Sequence, residues 1–93
     1  MAVEVKGIGE ADEFFELGMD YSVGRTVAVD LIAAHKWFNI AAMRGHKDAA
    51  QRRREIAAQM SDAAIGQAQR AARDWFKAHP QPAVETVPVR AAA

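Results

Sequence analysis

The chain has 93 residues, no cysteine, a formal net charge of zero and an apolar fraction of 51%. That length suffices for one small domain, burying roughly 60–65% of the unfolded chain's surface, and the lack of cysteine excludes a disulfide framework and a thiolate zinc site. Neutrality hides an asymmetry: through Asp30 seven acids face two bases, a net of −5, and from Leu31 onward the balance is +5. Such a pattern can steer a partner or favour head-to-tail self-contact, although ordinary solvated helix faces also account for it. Alanine fills 21 positions and leucine only two. The core must therefore rest on close helix approach and on a few large anchors, Phe14, Phe15, Tyr21, Trp37, Phe38, Ile40, Ile56, Ile65, Trp75 and Phe76. At about 1.5–3 kcal/mol per fully buried large side chain, that core is modest.

Residues 1–9 read as a flexible N-terminus, with Gly7 and Gly9 as breakers and without the basic-then-apolar order of a secretory signal. From about Glu10 the pattern turns helical: Phe14, Leu17, Gly18 and Tyr21 recur on one face, and acids crowd the first turns. Gly24 ends this helix, and Val27 in the following loop is expected to tuck into the core. Asp30 is placed to cap a second helix running to about Arg44 and stopped by Gly45. Its two apolar rows, Leu31–Ala34–Phe38–Ala41 and Ala33–Trp37–Ile40, predict cover on two sides. A third helix is predicted from about His46 to Gln59, its inner row Ala49, Arg53, Ile56, Ala57 and Met60. Ser61 caps a fourth from about Asp62 to Lys77, with Ile65, Ala68, Ala72, Trp75 and Phe76 inside and Gln67, Arg70, Arg73, Asp74 and Lys77 in water. Trp75 and Phe76 are expected to pack on the third helix. Residues 10–78 form the helical domain, and residues 79–93 read as a flexible Pro/Ala-rich tail.

The positions Leu17, Gly18, Tyr21, Gly24, Val27, Asp30, Ala34, Trp37, Phe38, Ala41, Ala42, Gly45 and Ala49 stand in register with one another. Their spacing closely resembles one unit of the Sel-one-like repeat family, a relative of the tetratricopeptide solenoids. Thr26 departs from the pattern where the family has a second loop glycine, and Glu13 where it has an opening alanine. The next unit fails, because Arg53 and Arg54 stand where Leu-Gly would recur. The resemblance implies an all-α fold, two antiparallel helical hairpins stacked as a short tetratricopeptide-like α-solenoid, the second hairpin degenerate or capping. It also implies a protein-protein interaction module. Repeats bury themselves by stacking, and about three are normally needed, so one good unit suggests association with another chain.

Little in the sequence points to chemistry. His35, His46 and His79 have no i, i+4 partner and no neighbouring cysteine, so no metal site is expected. The carboxylates Asp12, Glu13 and Glu16 fall on an exposed turn, and Ser22 and Ser61 lack a nucleophile's surroundings. No catalytic residue and no cofactor are expected. The run Arg52–Arg53–Arg54 is the best case for nucleic acid, yet consecutive helical residues point about 100° apart and Asp48 and Glu55 interrupt the patch. The expected function is a non-enzymatic, cytoplasmic adaptor or small accessory subunit, of the small repeat proteins typical of bacteria. Its partner would be another protein, as a hetero-complex or homo-oligomer, without a membrane span. The alternative is nucleic-acid binding through the basic third and fourth helices. Candidate partner-binding residues are Phe14, Tyr21, Arg52, Arg53, Arg70, Arg73 and Trp75.

Overall fold

The computed structural model describes the backbone of residues 2–80 and the side chains of residues 10–80. Among these, all regular structure is helical: α1 (Ala2–Val23), α2 (Leu31–Met43), α3 (Ala49–Ala57) and α4 (Asp62–Ala78). α1 begins at Ala2, not near Glu10, so Gly7 and Gly9 lie within a helix and do not break it. An isolated helical glycine costs about 0.5–1 kcal/mol relative to alanine, a penalty and not a stop. Of the expected tail, His79 caps α4 and Pro80 follows it; residues 81–93 lie outside the described residues. No described helix is long and apolar enough to cross a membrane.

The helix ends follow the local chemistry of the sequence. Asp30 Oδ1 accepts the Ala33 N–H at 3.0 Å, and Ser61 Oγ accepts that of Ala64 at 3.0 Å, each satisfying an otherwise orphaned first-turn donor. Gly24 and Gly45 take φ of +74° and +100°, a region L side chains seldom enter. At Gly45 the His46 N–H reaches the Ala41 carbonyl and the Gly45 N–H that of Ala42, the Schellman closure. The Asp30 N–H bonds back to the Tyr21 carbonyl at 2.9 Å, which closes the α1–α2 loop. Val27 does not tuck inward there; it is 38% exposed. The loop's backbone is held by Asp30 and Gly24 instead, so no apolar anchor is required.

α2 is the hub, and each of the other three helices makes its principal backbone approach to it. Cross-helix pairs fix the directions. Glu10–Arg44 and Phe15–Phe38 set α1 antiparallel to α2, and Arg53–Asn39 with the Phe38–Ile56 cluster does the same for α3. The pairing of Trp37 with Trp75 and of Arg44 with His79 leaves α4 parallel to α2. As the two apolar rows predict, Ala34, Phe38, Ile40 and Ala41 are fully buried. Gly18 provides the seat for Phe38: a Cβ there would lie 2.6 Å from the ring. Trp75 does not rest on α3. It meets Phe14 of α1 edge-on at 5.1 Å and Trp37 of α2 at 6.1 Å, because α4 lies across the opposite side of α2 from Phe38.

Candidate functional site

Two open clefts flank the hub, and their charges differ. The first lies between α1 and α3 and measures about 450 Å³, lined by Phe15, Lys47, Asp48, Gln51, Arg52 and Glu55. Its arginine and glutamate satisfy one another: Arg52 donates to Glu55 at 3.4 Å, and the Gln51 amide donates to the other Glu55 oxygen at 3.2 Å. At its edge, His46 stacks on Phe15 with ring centroids 4.0 Å apart. His46 Nδ1 accepts the Asp48 N–H at 3.1 Å, and its Nε2 faces Asp12 at 3.5 Å. The imidazole thus serves α3 where Asp48 itself makes no side-chain cap.

The second cleft, about 270 Å³, lies between α2 and α4 and is lined by Asn39, Met43, Gln69, Ala72, Arg73 and Phe76. Asn39 and Met43 are one turn apart on α2, as are Gln69 and Arg73 on α4, so each wall presents a single helix face. Met43 is 66% exposed, the most exposed of the large hydrophobics among the described residues. Arg53 comes from α3 to donate to Asn39 Oδ1 at 2.7 Å. No carboxylate lines this cleft. Among the described residues, neither Arg53 nor Arg73 has an acidic partner within salt-bridge distance.

Between the clefts, His35 is buried on α2 with Nδ1 unpartnered among the described residues. Burial, and next the positive charge of Arg53, push its pKa below the ordinary 6.5, so the ring is held neutral. At the far end of the hub, Arg44 Nη1 donates to Glu10 at 3.0 Å and Nη2 to the His79 carbonyl at 3.2 Å. Its guanidinium also lies over the Trp75 and Phe76 rings at 5.4 and 5.6 Å. The three histidines occupy three separate places, the third, His79, stacked on Trp75 at 4.2 Å.

The candidate partner-binding residues are dispersed. Phe14, stacked on Trp37 at 5.6 Å, and Trp75 belong to one half-buried aromatic cluster, and Tyr21 packs on the core. Arg52 lines the first cleft and Arg73 the second. Arg53 bridges to Asn39, and Arg70 is exposed on α4. Asn39, Met43 and Gln69 escaped the sequence reading, and Phe76, read as an inner residue packing on the third helix, instead lines the α2–α4 cleft. Met43 did carry a signal, as an apolar residue outside both apolar rows of its helix, on the polar row of Lys36 and Asn39. Comparison with protein-family models, with curated proteins and with solved structures found no match.

Proposed function

We propose that the chain is a non-enzymatic protein-protein interaction module, a cytoplasmic adaptor or small accessory subunit built as a short tetratricopeptide-like α-solenoid of the Sel-one-like type. The antiparallel α1–α2 pair and the register of Leu17 to Ala49 support that architecture, while α3 and α4 each pack on α2 more than on one another. The interaction reading rests chiefly on the α2–α4 cleft, where Met43 and Phe76 line a surface that also carries Arg73. Exposed apolar surface set among arginines is the composition of interface hot spots. The nucleic-acid alternative draws less support, because Arg52 is engaged by Glu55 and Arg53 by Asn39.

Affinity purification of the tagged chain, run beside Met43→Glu, tests the reading. A partner, or a second copy, should be retained by the wild type and lost from the variant while the thermal melt is unchanged. A monomer by light scattering that retains nothing specific overturns the reading. A mobility shift on nucleic acid that weakens steeply with salt would replace it with the alternative.

A further inference from the structure

We infer that the α2–α4 cleft is a seat for an amphipathic helix of a partner protein, with apolar residues on one face and acids flanking them. The inference rests on the interaction reading above and names the partner's chemistry. Three observations carry it.

The first is shape. The cleft lies between two helices running in parallel, and such a trough takes a third helix, ridges into grooves. Its walls present side chains from helix faces and no unpaired strand edge, so an extended segment gains no backbone ladder there. At about 270 Å³ it falls just under the roughly 300–1,000 Å³ of small-molecule sites, and it suits one or two anchoring side chains against Met43 and Phe76.

The second is charge. Arg73 on the α4 wall is a donor without an acidic partner among the described residues, Asn39 stands on the α2 wall, and no carboxylate lines the cleft. In the α1–α3 cleft Glu55 already occupies Arg52, so an incoming acid would have to displace it. Of the two clefts, the α2–α4 cleft offers arginine without acidic competition among the described residues, and that complementarity selects an acidic ligand.

The third is that this chain's own acidic helix lacks free anchors. A second copy would offer α1, where Glu10 is held by Arg44, Glu16 and Asp20 by Arg25, Asp12 faces His46, and Glu13 stays exposed. The apolar residues of α1 that would serve as anchors, Phe14 and Phe15, are packed against Trp37 and Phe38. That packing assigns the acidic helix to a different protein.

The full chain would be used to select from a displayed library of helical peptides sharing one apolar stripe, with Glu, Lys or Gln varied at the flanking positions. Acid-flanked peptides should be enriched. Their affinity should fall about tenfold or more in Arg73→Glu and in Met43→Glu, weaken with added salt, and stay unchanged in Arg52→Gln. Both cleft positions are exposed, and melts of each variant verify folding. Binders with basic flanks, or binders lost in Arg52→Gln and kept in Met43→Glu, overturn the inference and leave the interaction reading standing. A dimer dispersed by Met43→Glu assigns the cleft to a second copy and overturns it likewise. So does acid-flanked binding that emerges only when residues 81–93 are deleted, which makes that segment the occupant. If no peptide is enriched while purification still retains a partner, the inference alone fails; if nothing is retained either, both fail.

Discussion

Gly18 and Gly66 are both helical glycines with opposite prospects. A methyl group at Gly18 would enter the Phe38 ring at 2.6 Å, whereas at Gly66 the nearest atom is the mobile end of Arg70 at 3.5 Å. Gly66→Ala should stabilise by about 0.5–1 kcal/mol through reduced unfolded-state freedom. Gly18→Ala should destabilise by about 1–3 kcal/mol from overpacking, set against a smaller helix-propensity gain. Urea midpoints measured in parallel check the pair, and equal shifts would refute the account of Gly18. His35 makes stability depend on pH. Its folded pKa lies below the 6.5 of the unfolded chain, so between the two values the unfolded state binds more protons and stability rises with pH. The neutral ring's contribution is complete above 6.5, declines as pH falls below it, and levels off beneath the folded value. The difference in unfolding free energy between wild type and His35→Leu should therefore shift against the wild type from pH 7.5 to pH 5. A difference independent of pH would show that His35 titrates normally.

The capped element ends and the apolar faces were legible because they are written locally, whereas the start of α1, which no capping residue marks in the sequence, is expected near Glu10 and lies at Ala2. Asp30, Ser61, Gly24 and Gly45 act where the sequence places them, since a cap needs only its own first turn. The buried rows of α2 and the wet row of α4 likewise follow from period alone. What stayed hidden depends on which helices meet. Nothing local to Trp75 announces that it will lie on Phe14 and Trp37 and not on α3. The α2–α4 cleft exists only once Asn39 and Met43 stand opposite Gln69 and Arg73, so of the candidate partner-binding residues only Arg73 was found on it. Because α2 touches every other helix, a fault at its start propagates. Asp30→Ala should cost about 0.5–2 kcal/mol and lower protection from hydrogen exchange in α1, α3 and α4 together. Loss confined to the first turn of α2 would argue against the hub.

At the scale of the whole molecule, the acidic first third and basic remainder are partly reconciled in the fold, where Arg44 pairs with Glu10 across 34 residues. The Arg44 side chain is 9% exposed and its Nε has no partner among the described residues. Arg44→Lys should therefore lose more than a charge-conserving change implies, because an ammonium cannot hold Glu10 and the His79 carbonyl in one planar fork. A loss of about 1–3 kcal/mol, with tryptophan fluorescence changing as Trp75 loosens, is expected; unaltered emission and midpoint would show the fork to be idle. The same guanidinium has a geometric consequence. Glu10 and His79 are both in reach of one side chain, so the helical body between them is a closed loop whose two mouths lie side by side. Such a body can be spliced into a surface turn of another protein without prising that turn apart, since domains whose ends meet tolerate insertion and circular permutation. Joining residue 79 back to residue 10 through a short glycine linker, which removes about the first two turns of α1, and opening the chain at the exposed Gln59, should leave the core intact.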